Sequence, residues 1–258
     1  MRPFGFIFVA GVTFASAATA APYVADREAL FRNCAVMPDY VVPVAYGDAV
    51  RSGTWAFSSA RQAGAAVVLD AWEEAGDASP DRLAYVLATA RRESSGTFRP
   101  LREAPACKSE ECIEREVGRS LQKRNARTNA ERAQKGLPPL SVPRNYAAIQ
   151  GNGHRYYGRG FNQLTHLASY EMADSKLGLG LVDNPDLVLD PQVSAKILVR
   201  GLLEGWFGSS RPLSHYINER KQDWKNARDT TNPGSPNAAI TAGYARDFAA
   251  CLSGRKPD

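Results

Sequence analysis

Two glutamates, Glu93 and Glu103, stand in the stretch Ala90-Arg-Arg-Glu-Ser-Ser-Gly-Thr-Phe-Arg-Pro-Leu-Arg-Glu103. Splitting a glycosidic bond takes two carboxyl groups that flank it. One protonates the leaving oxygen and the other activates water. On one continuous helix, ten positions amount to about 1000° of rotation, leaving the pair about 80° apart and about 15 Å apart along the axis. They can meet across a cleft only if the chain turns back between them, which Gly96 and Pro100 permit. Glu93 falls on the apolar stripe Leu83, Val86, Leu87 and Ala90, near the end of its helix. Partial desolvation and the helix dipole there disfavour a charged carboxylate, which suits a proton donor, while Arg91 and Arg92 oppose this wherever they approach. Glu103, in a polar turn beside Arg102, suits the base. Taken alone, either glutamate has a plainer reading as the partner of a neighbouring arginine.

The elements that must position this pair are helical. Apolar periodicity predicts helices over 58–74, from a Ser79 cap and Pro80 to Glu93, over 165–177, 191–206 and 238–252. Gly64 weakens the first of these, since glycine disfavours a helix interior. Residues 22–57 carry few regular signals beyond a short helix at 26–33, so 21–57 reads as an irregular lead-in. Residues 108–139 form a charged insertion, an exposed helix or arm, whose plain reading is a solvated face and whose sharper reading is a wall-binding patch. Gly151, Gly153, Gly158 and Gly160 cluster among aromatic and basic residues, where backbone approaches something closely. No strand series and no internal repeat emerges, so the chain reads as mainly α.

Composition narrows the class. A chain of 258 residues that is 44% hydrophobic suffices for one well-packed domain or two small ones sharing a cleft. The formal charge of +5 favours anionic surfaces, but 27 acidic residues interleave with the basic ones, which argues against nucleic acid. Arg2, an apolar run over 4–17 and the small residues Ala18-Thr-Ala20 predict a signal peptide over 1–20 and a protein that is secreted or periplasmic, with no stable membrane insertion. Cys34, Cys107, Cys112 and Cys251 suggest two disulfides, with three pairings open. Cys107 and Cys112 bracket four residues and can close a local loop, in which case Cys34 and Cys251 tie the chain ends. Neither the cysteines nor His154, His166 and His215 have metal-ligand spacing, and serine-hydrolase, zinc-protease and phosphate-loop signatures are missing. Carboxylates remain as the candidate catalysts.

A second block, Tyr156-Tyr-Gly-Arg-Gly-Phe-Asn-Gln-Leu-Thr165, gives the pair its specificity. Together the blocks resemble the catalytic domain of glycoside hydrolase family 19, which contains chitinases and bacterial or phage-type lysozymes. The first resembles the family's H-E-S-G-G-F stretch with the second glutamate closely following. The second resembles its Y-x-G-R-G-x-x-Q-L-T block. Asp183-Asn-Pro-Asp-Leu and the helix after Pro191 are similar to the family segment downstream of that block, so the likeness covers roughly 58–252 within a catalytic domain placed at 58–258. The sequence departs from the pattern at Arg92, in place of a histidine, at Gly96-Thr97, at Ser169, in place of an asparagine, and at Pro233 in the N-G-G motif.

The resemblance implies a lysozyme-like α-helical domain with a substrate cleft between two lobes. It implies Glu93 as proton donor, Glu103 as base, and Ser95, Tyr157, Arg159, Gln163, Thr165 and Asn232 as substrate-binding residues. It further implies inversion at the anomeric carbon, no cofactor or metal, and a polysaccharide substrate with β-1,4-linked N-acetylglucosamine, either chitin or peptidoglycan. The short gap between the glutamates and the basic charge lean towards peptidoglycan. A monomer is expected. Two other readings stay open: a lytic transglycosylase using one glutamate, and a non-catalytic glycan-binding protein.

Overall fold

A computed structural model describes residues 20–257. Apart from Ala20, the predicted signal peptide lies outside the described residues. Helix α1 (Arg27–Asn33) is capped by the Asp26 carboxylate on the Ala29 amide. It leads into an antiparallel pair, β1 (Val36–Val41) and β2 (Val50–Ala56), and then helices α2 (Ser59–Ala75) and α3 (Pro80–Glu93). The two-residue strand β3 (Leu101–Arg102) precedes the long helix α4 (Glu110–Gln134) and pairs with β4 (Arg159–Gly160). Helices α5 (Leu167–Leu177), α6 (Pro191–Glu204) and α7 (Ala238–Leu252) complete the helical set, with a small ladder of β5 (Ile217–Asn218) and β6 (Lys221–Gln222) before the last.

The α3 helix is the axis of the larger lobe. The Ser79 hydroxyl accepts from the Arg82 amide, Pro80 occupies the first turn, and every residue from Leu83 to Arg91 is buried. A helix apolar all round must be surrounded. Here α2, α6, α7 and the β1–β2 pair supply the surroundings, through Val68, Trp72, Leu198, Leu202, Tyr244, Phe248, Met37 and Trp55. A second core gathers Tyr156, Leu164, Tyr170, Leu181, Val188 and Trp206 around α5. Helix α6 joins the two, burying Leu198 in one and Ile197 in the other. The molecule is thus mainly α, with two lobes and a cleft between them.

The stretch expected to be an irregular lead-in, 21–57, differs from that expectation. Residues 36–56 form the β1–β2 pair, with an irregularity between Asp39 and Tyr40. Pro38 and Gly53 mask the strand pattern, because proline and glycine weaken strand signals, and β2 buries only Trp55. The charged segment is one 25-residue helix, seated by Ile113, Val117 and Leu121 alone. Beyond Leu121 it projects as an arm, and the following chain returns along it: Asn129 exchanges hydrogen bonds with the Leu140 amide and carbonyl, and Arg132 donates to the Pro138 carbonyl. Disulfides join Cys34 to Cys251 and Cys107 to Cys112.

Candidate active site

Glu93 is the last residue of α3, with its side chain 17% exposed at the edge of the larger lobe. Its Oε1 lies 2.5 Å from the Arg228 guanidinium, which is itself buried and also donates to the Thr231 hydroxyl at 2.9 Å. The arginine on Glu93 is therefore Arg228, not Arg91 or Arg92. Arg91 turns the other way, into the core, where its guanidinium lies 4.2 Å from the Trp55 ring and 3.7 Å from the Tyr244 ring and donates to the Pro38 carbonyl at 2.8 Å. The turn after Glu93 is pinned by that same pair of strands: Trp55 Nε1 donates to the Gly96 carbonyl at 3.0 Å.

Glu103 is placed by the β3–β4 ladder. Its amide donates to the Gly158 carbonyl at 2.8 Å, and the Gly158 amide returns a hydrogen bond to Glu103 Oε2 at 2.9 Å. Tyr146 donates to the other oxygen, Oε1, at 2.7 Å. Burial first, then Glu103, pushes the Tyr146 hydroxyl well above its ordinary pKa, with Arg124 opposing, so it stays a donor. Gly158 is a close-approach position: a Cβ there would meet Gln163 Oε1 at 2.8 Å, Glu103 Oε2 at 3.3 Å and Thr165 Oγ1 at 3.4 Å. Three polar atoms therefore converge over one glycine.

Beside these groups runs an open cleft of about 380 Å³, lined by Glu93, Arg228, Tyr146, Gln163, Thr165 and His166; Glu103 is not itself in the lining but sits behind it, bonded to Tyr146. Gln163 is fixed by donating to the carbonyls of Leu101 and Gly160, and Thr165 donates to the Gln163 carbonyl. Asn232 lines the far wall, held by its amide on the Arg228 carbonyl. His166 packs edge-on against Tyr146 with ring centroids 4.8 Å apart. Burial lowers its pKa most, Glu103 pulls it up and Arg124 pushes it down. Ser169, where the family pattern expects asparagine, also lines the cleft, and Asn162 brings a buried Oδ1 with no partner among the described residues.

Three residues expected to bind substrate stand elsewhere. Tyr157 is fully buried, its hydroxyl donating to Glu110 at 2.7 Å. Arg159 lies beneath the surface, 3.6 Å over the Tyr157 ring, and donates to Asp186, Tyr170 and the carbonyls of Arg155 and Tyr157. These donors are spent on holding the second block together, so neither side chain lines the cleft. Ser95 sits exposed in the turn after α3, at φ 51°, also outside the lining. Motif position gives residue identity but not the direction of a side chain, which is why these three misled. Conversely, Arg228 and Arg124 line the cleft without a local signature, and Tyr146, whose Tyr-Ala pair resembles the family's approach to the second block, lines it too. Arg124, from the arm, was legible only as one charge among many.

Residues 131–235 match the family profile described as chitinase class I. The chain is 54% identical over 70 residues to an acidic 26 kDa endochitinase of Solanum lycopersicum, covering 24% of this chain and 25% of that protein. It is 43% identical over 67 residues to chitinase 11 of Oryza sativa subsp. japonica, 24% of each chain, and 52% identical over 70 residues to the acidic endochitinase pcht28 of Solanum chilense, 24% of this chain and 25% of that one. These matches span about a quarter of the relatives' length. No solved structure matches the chain. The profile match takes in Tyr146, the Tyr156–Thr165 block, Arg228 and Asn232, while the two glutamates lie ahead of it, Glu93 in the cleft lining and Glu103 bonded to Tyr146. Through this matched segment the chain is similar to glycoside hydrolase family 19.

Proposed function

We propose that this protein hydrolyses β-1,4 bonds in N-acetylglucosamine-containing polysaccharide by a two-glutamate inverting mechanism, in a catalytic domain over 58–258. The observation that carries the reading is a carboxyl in the cleft, Glu93 on Arg228, with a second, Glu103, held by the Gly158 amide and by Tyr146, which itself lines that cleft. Arg228 grips Oε1 of Glu93 and so orients the group, leaving Oε2 to carry the proton to the leaving oxygen. Glu103 Oε2, Gln163 Oε1 and Thr165 Oγ1 converge around Gly158, and this reading assigns the attacking water to that group of polar atoms. Glu103 takes the water's proton as its oxygen attacks the anomeric carbon. Inversion requires the carboxyls to stand about 6.5–9.5 Å apart with the water between sugar and base.

The matched relatives are named chitinases, which makes chitin the first polymer to try, and peptidoglycan shares the linkage. Two disulfides support a protein that works outside the reducing cytosol, secreted or periplasmic. The test is turnover of glycol-chitin and purified peptidoglycan by wild type, Glu93→Gln and Glu103→Gln. Each variant is expected to lose about 100-fold or more, the usual scale for a positioned acid or base. Binding without turnover by the wild type would instead identify a glycan-binding protein, and anhydro product ends would identify a transglycosylase.

A further inference from the structure

The projecting arm brings two unpaired cations to the cleft. Arg124 comes from the outgoing helix α4 and lines the cleft beside Tyr146 and His166. Arg144 comes from the returning chain and lines an adjoining hollow of about 110 Å³ that shares Tyr146 and His166 and adds Gln150 and Leu167. Other arginines of the site are committed: Arg228 to Glu93, Arg159 to Asp186 and Arg155 to Glu114. Among the described residues, neither Arg124 nor Arg144 has a carboxylate within 4.0 Å or a side-chain hydrogen bond. Two guanidinium groups held at a cleft margin, with no protein anion to satisfy them, are complementary to an anion arriving with the substrate. Guanidinium suits a carboxylate because its planar fork matches both oxygens.

The placement is built. Asn145, next to Arg144, donates to the Glu114 carbonyl at 2.8 Å, and Tyr146 packs with Ile113, Val117 and Leu121 at the root of the arm. The same Tyr146 holds Glu103. The arm thus brings both cations beside the tyrosine that holds the candidate water-activating group.

We infer that Arg124 and Arg144 form a carboxylate-reading subsite, which makes the preferred substrate an anionic N-acetylated glycan of the peptidoglycan kind, bearing carboxylates beside its sugars. The inference rests on reading this cleft as a glycan site. A neutral polymer of the same linkage would leave both arginines to water.

The test compares soluble peptidoglycan glycan strands with the same strands after their carboxylates are amidated, which removes charge and keeps the sugars. kcat/KM for each is measured with wild type, Arg124→Gln/Arg144→Gln and Arg124→Lys. Two exposed ion pairs predict a wild-type preference for native strands of about threefold to tenfold at low salt. The ratio should fall to about one in the double variant and in 1 M salt, where the Debye length is about 3 Å. Arg124→Lys should retain part of it. Any effect common to both substrates, including a change in Glu103 or in folding, cancels in the ratio. A wild-type ratio of one, or a ratio the double variant leaves unchanged, overturns the inference. If the wild type cuts neither strand, the hydrolase reading falls. The same ratio is then taken from equilibrium retention of the two strands on immobilised protein, with the same two outcomes.

Discussion

Tyr146 places Glu103 through a hydrogen bond to Oε1, leaving the Gly158 amide as the only other partner of that carboxylate among the described residues. Replacing Tyr146 with phenylalanine removes one hydrogen bond to a charged group, worth about 1.5–3 kcal/mol. Turnover is expected to fall by roughly tenfold or more with the ring packing retained, checked by initial rates alongside the thermal midpoint. An unchanged rate would mean Glu103 needs no such support. At this scale much of the site was legible: Glu93, Gln163, Thr165 and Asn232 stand out by residue type and motif, and all line the cleft. Arg228 does not, because it lies 135 positions after Glu93 and its neighbours carry no pattern that points there. Tyr157 and Arg159 mislead because a motif records which residues recur together, not whether they face solvent or hold each other.

Among the elements, the turn after α3 depends on a close helix–backbone approach. A Cβ at Gly64, in the middle of α2, would fall 1.9 Å from the Phe98 carbonyl oxygen. By propensity Gly64 counts against the helix; in the fold it lets the turn between the two glutamates pack down. Intrinsic propensity predicts that Gly64→Ala stabilises by about 1 kcal/mol. Overpacking against backbone predicts destabilisation by about 1–3 kcal/mol, and this effect is expected to win. Urea unfolding decides it: a higher midpoint in the variant would contradict the close packing. Helices α2, α3, α5, α6 and α7 were legible because each carries an apolar period, and α3 and α6 also carry proline starts and side-chain caps. The β1–β2 pair was not, because its register contains Pro38, Gly53 and an irregularity, while its one buried tryptophan acts across the chain on Gly96.

For the molecule as a whole, the ends of the described chain are drawn together around a buried polar cluster. The Cys34–Cys251 disulfide spans 217 positions, and nearby Tyr40 donates to Asp247 at 3.2 Å while Tyr244 donates to Asp39 beneath the Arg91 guanidinium. Burial pushes the Asp247 carboxyl up to about 6, against the hydrogen bond from Tyr40 and the charges of Arg91, Arg51 and Arg246, and its Oδ2 has no partner among the described residues. Because the folded state then holds a proton that the unfolded state has released, stability falls as pH rises from about 4 to about 6 and the penalty is complete above that. Asp247→Asn keeps an acceptor for Tyr40 and should remove this slope; melting curves from pH 4 to 7.5 that stay parallel for the two proteins would contradict it. No sequence pattern revealed this cluster, since it assembles residues about 200 positions apart. The mainly α class and a cleft between lobes, by contrast, were legible from periodicity and the two motif blocks. The proposed hydrolysis turns on a water and a proton passing between those blocks, and proton NMR of freshly released oligosaccharide tests it. Attack by a water activated by Glu103 predicts that the new reducing end appears first as the α-anomer and then mutarotates. A β-anomer at first, or a 1,6-anhydro end, would contradict the inverting mechanism.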